Sequence, residues 1–188
     1  MRIVTTYILS NSYIVEIQSN GIQKQAVLTD EFGFEIQKGP KAFSATEKQL
    51  LDLTKKIKKI MRDKKFPILI DEEGGRVSRL SNFLDNTAFN QKYLGNIYKS
   101  NKFMATQIYQ TYINSVAKIL LKMGININTS PVLDLSKLIT HQVIGNRSYS
   151  NNAKIVNALG KLCVKFYKMN KIATVIKHIP GHGLSKVD

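Results

Sequence analysis

Apolar side chains recur at steps of three and four residues from about residue 50 onward, with polar side chains between them. The first such stretch carries Leu50, Leu53, Ile57, Ile60 and Met61. This spacing predicts an amphipathic helix with one buried face and with lysines mainly on the other. Ser44 and Glu47 form a capping-box pattern, so we expect the helix to begin there and to run to about Lys64.

Two later stretches repeat the helical spacing. Their apolar residues are Ile108, Tyr112, Val116, Ile119, Leu120 and Met123 in one, and Ile155, Leu159, Leu162, Cys163, Phe166 and Met169 in the other. Gly124 stands where a helix commonly ends in a left-handed residue, so it predicts the end of the second helix. Cys163 lies in an apolar helix face, which indicates a buried structural thiol and not a nucleophile.

A short segment rich in apolar residues follows each predicted helix, near residues 66–70, 125–129 and 172–177, and the first of them is a continuous apolar run. These runs are too short for helices and are typical of strands buried in a parallel sheet. Helix then strand, three times over, predicts a single α/β domain. The pattern alone fits a barrel and a doubly wound sheet equally well.

Length and composition narrow the class of protein. The chain has 188 residues, enough for one domain with a sizeable core but fewer than the roughly 250 typical of a closed α/β barrel. Its 43% apolar and 22% charged residues disfavour a disordered or membrane protein. The opening residues contain neither a signal-peptide core nor a membrane span, so we expect a cytoplasmic protein without a membrane partner.

The formal net charge of +15 raises the question of nucleic-acid binding, because clustered lysines and arginines bind phosphates. Here the lysines are scattered along helix faces, as at Lys55, Lys56, Lys58, Lys59, Lys64 and Lys65. A solvated basic surface is therefore favoured, and nucleic-acid binding is kept only as a weaker hypothesis.

Polar residues follow each predicted strand directly, where the loops of parallel α/β folds converge. Asp71, Glu72 and Glu73 follow the first strand, and a glycine pair and two arginines, Arg76 and Arg79, come next. Carboxylates and guanidiniums in this order suit the binding of hydroxyl groups. An ordinary acidic turn and a set of Mg²⁺ ligands are the alternatives.

The other two strands are followed by further candidate residues. Pro131-Val132-Leu133-Asp134 follows the second strand, and Arg147 after a glycine turn offers a hydrogen-bond fork for a sugar or a carboxylate. The third strand ends in Lys177-His178, with His182 close behind. Two histidines suggest a metal site, but no third ligand of metal spacing stands nearby, which disfavours that hypothesis.

Taken together and in order, these segments resemble the family 3 glycoside hydrolases. They match an acidic-Glu-Gly-Gly-Arg segment, a Pro-Val-Leu-Asp segment, an Ile-Gly-Asn-Arg-Ser segment and a Lys-His-x-Pro-Gly-His-Gly segment. The resemblance is closest to the cytoplasmic β-N-acetylglucosaminidases that remove N-acetylglucosamine from peptidoglycan turnover fragments. It implies a (β/α)₈ TIM-barrel fold, of which the chain holds about five of eight units. Residues 43–188 are then a partial barrel domain, and residues 1–42 a diverged N-terminal segment.

The resemblance also implies roles for individual residues. Asp71 is expected to accept hydrogen bonds from sugar hydroxyls in the first subsite. The basic residues of that subsite, which bind hydroxyl oxygens and fix the ring, are Arg79, Arg147, Lys177 and His178. The implied ligands are N-acetylglucosamine-containing saccharides, and no metal or organic cofactor is implied.

The catalytic residues of this family are expected later in the chain. These enzymes retain configuration, with an aspartate nucleophile and, in this branch, an acid/base histidine in an Asp-Ser-His loop. Asp188 matches the loop aspartate that orients this histidine, but neither the histidine nor the nucleophile follows in the 188 residues. We therefore expect the chain to be inactive alone, with the missing half of a split barrel as a candidate partner. The alternative is a catalytically dead carbohydrate-binding or interaction fragment.

Overall fold

A computed structural model describes residues 47–81, 84–136 and 143–182, together with the backbone of four short strands nearer the N-terminus. Two residues of the sequence predictions, Ser44 and Asp188, lie outside the described residues. The described ranges contain four α-helices, α1 Glu47–Ile60, α2 Gln91–Ser100, α3 Lys102–Lys122 and α4 Ala153–Met169.

The three predicted helices are confirmed as α1, α3 and α4. Helix α1 ends at Ile60, four residues before the predicted end, because Arg62 adopts a positive φ of 50° that does not continue a helix. Helix α3 ends as predicted, with Gly124 at a φ of 76° directly after its last turn.

Helix α2 was not predicted from the sequence. It begins after Asn90, whose side chain accepts a hydrogen bond from the amide of Tyr93, and Gly95 and Gln91 are among its buried residues. A glycine and a glutamine on the buried face weaken the apolar spacing that indicates a helix. Asn101 closes α2 and also caps the N-terminus of α3, so the two helices follow each other with one residue between them.

Five strands form the main sheet, in the order β1-β2-β5-β6-β7. These strands are Arg2–Ile8, Ser12–Gln18, Ile68–Ile70, Ile127–Asn128 and Ala173–Thr174, and a separate two-stranded sheet joins β3 Gln23–Lys24 to β4 Lys38–Gly39. Strands β1 and β2 pair antiparallel, whereas β2, β5, β6 and β7 run parallel to one another. The three predicted strands are confirmed, each shorter than its apolar run.

Parallel pairing continues past the end of β6, which matters for the site. The amide of Leu133 donates to the carbonyl of Lys177 over 2.6 Å, and the amide of Lys177 donates to the carbonyl of Pro131 over 3.1 Å. These two bonds hold Lys177 beside the polar segment that follows β6 and place it at the carboxyl edge of the sheet.

The hydrophobic core lies between the sheet and the helices. Helix α3 contributes Ile113 and Leu120, α4 contributes Leu159 and Cys163, and Ile70 comes from β5. The Cys163 thiol is buried as predicted, and burial raises its pKa to about 12, so it stays protonated at neutral pH.

The surface of α1 and the residues after it agrees with a solvated basic face. Its exposed lysines include Lys55, Lys56, Lys59, Lys64 and Lys65. Lys58 is half-buried, and its ammonium donates to the carbonyl of Gly124 over 2.6 Å, so it stabilises the C-terminus of α3. No helix within the described ranges has the length and apolar character needed to cross a membrane.

Candidate functional site

The loop after β5 folds around one buried carboxylate, that of Glu72. One carboxylate oxygen accepts hydrogen bonds from the Ser78 hydroxyl at 3.0 Å, the Arg79 amide at 2.8 Å and the Leu80 amide at 3.1 Å. The other oxygen accepts from the Asn86 side chain at 2.5 Å. Burial raises the pKa of Glu72, and the hydrogen bonds oppose that rise by stabilising the ionised form.

This loop returns Arg79 to the strand end, with a guanidinium nitrogen 3.7 Å from a carboxylate oxygen of Asp71. The turn needs glycine at residue 74, where φ is 80° and a Cβ would lie 2.3 Å from the carbonyl oxygen of Phe89. Glu72 therefore acts on the site indirectly, by fixing the path of residues 72–80.

Lys177 joins two acidic residues of this segment. Its ammonium contacts the Asp71 carboxylate, lies 2.6 Å from a carboxylate oxygen of Glu73 and donates to the Thr129 hydroxyl over 3.0 Å. The Thr129 hydroxyl in turn donates to Asp71. One cation from the third parallel segment thus holds two carboxylates from the first.

Arg147 forms an ion pair with Glu73, the carboxylate that also contacts Lys177. Its Nε lies 2.8 Å from one carboxylate oxygen, and its Nη2 lies 3.0 Å from the other, a two-point pairing that fixes the plane of the guanidinium. The arginine belongs to a single 3₁₀ turn, Gly145–Arg147, and also donates to the carbonyl of Val143 over 3.2 Å. Its Nη2 lies 3.5 Å from Nε2 of His178.

The Asp134 carboxylate accepts hydrogen bonds from the loop that follows Lys177. One of its oxygens accepts from Nδ1 of His178 at 2.6 Å, and the other accepts from the backbone amide of His182 at 2.6 Å. Burial acts to raise the pKa of Asp134, but the hydrogen bonds from His178 and His182 outweigh it, so the pKa is lowered. The carboxylate is therefore ionised at neutral pH.

Four of the five predicted binding residues are linked through acidic residues that the sequence analysis had not assigned to the site. Asp71 and Glu73 meet at Lys177, Glu73 holds Arg147, and Asp134 holds His178. The fifth, Arg79, lies beside Asp71. The predicted convergence of Asp71, Arg147 and Lys177 at the carboxyl ends of the strands is confirmed, whereas their roles toward a sugar stay a prediction. Glu73 and Asp134 are part of the motifs quoted above, but the sequence does not show which carboxylates face the cluster.

The carboxylates of this cluster already have cationic or N–H partners from the protein itself. Within the described part of the chain, no group of three or more His, Cys, Asp or Glu residues is arranged to hold a metal ion. The oxygens of Asp71 and Glu73 that Mg²⁺ would need are next to Lys177 and Arg147. The cluster is an alternating arrangement of anions and cations, which suits hydroxyl groups that both donate and accept.

Comparisons with known proteins agree on one family. The profile described as glycosyl hydrolase family 3 N terminal domain matches residues 13–188. A β-hexosaminidase of Hydrogenovibrio crunogenus is 35% identical over 141 residues, which are 74% of this chain and 38% of that protein. β-Hexosaminidase A of Pseudoalteromonas piscicida is 34% identical over 122 residues, which are 64% of this chain and 20% of that protein.

Solved structures give the same result. Native NagZ from Neisseria gonorrhoeae superimposes with a TM-score of 0.64 at 31% identity over 74% of this chain and 40% of that one. The chain thus spans well under half the length of these relatives, and the fold is of the barrel type that they share. The profile match begins at residue 13, before the predicted boundary at residue 42, and that division stays a prediction. With its sequence match over most of its length, the chain belongs to the family of the glycosyl hydrolase family 3 N terminal domain.

Proposed function

We propose that the cluster at the carboxyl ends of the strands is the sugar-binding part of a β-N-acetylglucosaminidase-type active site. The observation that carries the proposal is the continuous series of contacts Asp71–Lys177–Glu73–Arg147, in which every side chain is held by its neighbours. Polar groups fixed in this way bind a ligand without a further ordering cost. Sugar hydroxyls donate to the Asp71 carboxylate and accept from Arg79, Arg147 and Lys177.

The proposed ligand class is N-acetylglucosamine-containing saccharides. NagZ from Neisseria gonorrhoeae, at 31% identity, has been solved in complex with N-trifluoroacetyl-D-glucosamine, which supports this ligand class here. Fragments of peptidoglycan turnover are the proposed natural source of such ligands. A cytoplasmic location, expected from the sequence, is part of the proposal, and cell fractionation tests it.

Hydrolysis by a retaining mechanism needs a nucleophile and an acid/base group in addition to the binding residues. The carboxylates of the described cluster are committed to Lys177, Arg79, Arg147 and His178, and Glu72 is enclosed by the hydrogen bonds of its own loop. We therefore propose that residues 1–188 supply binding and orientation, and that the reacting carboxylate and the acid/base group come from a further part of the barrel.

Titration with N-acetylglucosamine, followed by calorimetry or by NMR shift perturbation, tests the binding proposal. We expect a saturable signal with the unaltered chain and its loss with Lys177→Met, which removes the cation between Asp71 and Glu73. Lys161→Met on the exposed surface of α4 is the matched control and should bind as the unaltered chain does. A folded chain that gives no signal contradicts the proposal.

The alternative is a carbohydrate-binding or interaction fragment without chemistry. The engagement of the cluster's carboxylates with protein cations favours this alternative as a description of the 188 residues alone. Adding the separately produced C-terminal portion of a related β-hexosaminidase distinguishes the two. Restored hydrolysis of a chromogenic β-N-acetylglucosaminide identifies an enzyme part, whereas sugar binding without restored hydrolysis identifies a binding fragment.

A further inference from the structure

We propose that Asp134 is a positioning residue for His178, one that keeps the imidazole proton on Nδ1 and presents Nε2 to the sugar site as a hydrogen-bond acceptor. The tautomer follows from contacts within this chain. The consequence of this tautomer for ligands rests on the proposed function, because it concerns the hydrogen bond between a sugar hydroxyl and Nε2 of His178.

The Nδ1 side of the His178 ring faces the Asp134 carboxylate. An ionised carboxylate accepts hydrogen bonds and cannot donate them. Because Asp134 lies 2.6 Å from Nδ1, the proton of a neutral imidazole must sit on that nitrogen for the contact to be a hydrogen bond. The Asp134 side chain is only 1% exposed, so water does not replace the histidine as its partner.

The Nε2 side of the ring faces the Arg147 guanidinium, a contact that does not involve Asp134. Nη2 of Arg147 lies 3.5 Å from Nε2 of His178, and a guanidinium has only donors to offer. An unprotonated Nε2 suits this neighbour, whereas an Nε2–H would point a donor at a cation. The carboxylate on one side and the guanidinium on the other therefore select the same tautomer.

Asp134 also fixes where the ring lies. The same carboxylate accepts the backbone amides of His178 at 3.3 Å and of His182 at 2.6 Å, so it holds both ends of the turn that carries the ring. The two histidine rings meet edge to face, with centroids 5.3 Å apart. A single carboxylate thus sets both the orientation and the proton position of His178.

The consequence for a ligand is a preference for groups that donate. A sugar hydroxyl can donate to Nε2 of His178 by replacing the long 3.5 Å contact from Arg147, whereas a fluorine or an ether oxygen at the same position cannot. The site is expected to discriminate between a hydroxyl group and its fluorinated replacement at the ring position that faces His178, because an unmatched buried polar group weakens binding.

Nitrogen-15 NMR of the imidazole rings, without any sugar and at about pH 8, where an ordinary imidazole is neutral, measures the tautomer directly. We expect the Nδ1–H form of His178 to exceed the Nε2–H form by about tenfold or more, as one charge-assisted hydrogen bond allows. Asp134→Asn should shift the ratio toward Nε2–H, and Asp134→Ala should reduce the bias to the part that Arg147 alone maintains.

Asp85→Asn is the matched control, since Asp85 is an exposed aspartate whose contact is with Thr87. It should leave the His178 signals unchanged. Separate His141→Gln and His182→Gln variants assign the signals, because the chain has three histidines. A predominant Nε2–H form in the unaltered chain, or a ratio unchanged by both Asp134 variants, overturns the inference even if the sugar binds. Absence of sugar binding with the expected tautomer overturns the proposed function and leaves the inference standing.

Discussion

At the scale of single residues, the site depends on acidic side chains that hold other groups in place. Glu72 is 1% exposed, and its carboxylate accepts four hydrogen bonds. Among the five predicted binding residues, the one that donates to it in these bonds is Arg79, through its backbone amide. Glu73 and Asp134 likewise orient cations and rings. The cations that the sequence indicated are in the site because these carboxylates hold them there.

The first prediction concerns Glu72→Ala. The substitution leaves the buried donors of Ser78, Arg79, Leu80 and Asn86 without their acceptor, and each such loss costs about 1–3 kcal/mol. We expect the free energy of unfolding to fall by at least about 3 kcal/mol in urea denaturation followed by circular dichroism. Glu47→Ala, which removes an exposed ion pair with Lys122, should change it by about 1 kcal/mol or less. A smaller effect for Glu72→Ala than for Glu47→Ala contradicts this account.

At this scale, the order of residue types along the chain does not determine which side chains meet. Strand-end position and motif order indicated Asp71, Arg79, Arg147, Lys177 and His178, and the structure brings these residues together. Glu73 and Asp134 stood in the same motifs, but burial and pairing depend on how three separate segments meet. A run of three acidic residues does not show which carboxylate faces a cation and which faces backbone amides.

At the scale of elements, asparagine caps mark one helix that apolar spacing does not. Asn90, Asn101 and Asn152 precede α2, α3 and α4, and each side chain accepts a backbone amide of the first turn. The cap at Asn90 was a usable signal for α2, whose apolar spacing is interrupted by Gln91 and Gly95. The strands were found by their apolar runs, whereas their ends depended on pairing partners that the runs do not encode.

The second prediction concerns the close approach of α2 to the backbone near Tyr149. A Cβ at Gly95 would lie 1.7 Å from the carbonyl oxygen of Tyr149, so Gly95→Ala must move backbone and should destabilise by about 1–3 kcal/mol despite the better helix propensity of alanine. At Gly160 the neighbour is the movable Leu133 side chain at 2.6 Å, so Gly160→Ala should cost less.

Thermal melting of both glycine variants checks the prediction. Asn96→Ala, on the exposed face of the same helix, serves as the control and should leave the melting temperature nearly unchanged or slightly raised. Equal melting temperatures for the Gly95 and Gly160 variants would show that α2 is free to shift away from Tyr149.

At the scale of the whole molecule, the structure has an apolar groove in addition to the polar cluster. A groove of about 970 Å³ runs along α4, and it is lined mainly by Pro131, Leu133, Val156, Val164, Met169 and Ile176. Met169 is 61% exposed and Ile179 75% exposed in the described structure. Apolar surface of this kind is typical of regions that contact other polypeptide.

The third prediction is that the 188-residue chain does not hydrolyse a chromogenic β-N-acetylglucosaminide above background. The described carboxylates at the strand ends pair with cations and backbone amides, which disfavours them as a nucleophile or a proton donor. NagZ from Neisseria gonorrhoeae, assayed in parallel, is the positive control. Turnover that persists through purification and disappears in Lys177→Met would show that the reacting groups lie within these residues.

Two asparagine side chains, Asn128 in β6 and Asn126 just before it, make hydrogen bonds to the backbone of β5 and of the residue Glu72 beyond it. The Asn126 side chain accepts the amide of Ile68 at 2.8 Å, and the Asn128 side chain accepts the amide of Glu72 at 3.0 Å while it donates to the carbonyl of Glu72 over 2.7 Å. The backbone amides at the two ends of this segment, those of Ile68 and Glu72, therefore donate to side chains and not to backbone carbonyls. Its middle is closed by backbone, with the amide of Thr129 donating to Ile70.

Hydrogen–deuterium exchange should reveal this difference. The Asn126 side chain that accepts the Ile68 amide is half-buried and also donates to the carbonyls of Lys65 and Phe66 before the strand, so the Ile68 amide should exchange through a local opening of this end. The Glu72 amide donates to the Asn128 side chain, which is fully buried and also donates to the Tyr167 hydroxyl. We therefore expect the Glu72 amide to exchange only when a larger part of the structure unfolds. Asn126→Ala should accelerate exchange at Ile68 while Glu72 keeps its protection, and equal acceleration at both would mean that the strand opens as one unit. The strand leading into the site is thus expected to loosen from its N-terminal end, with the end that carries the acidic residues released last.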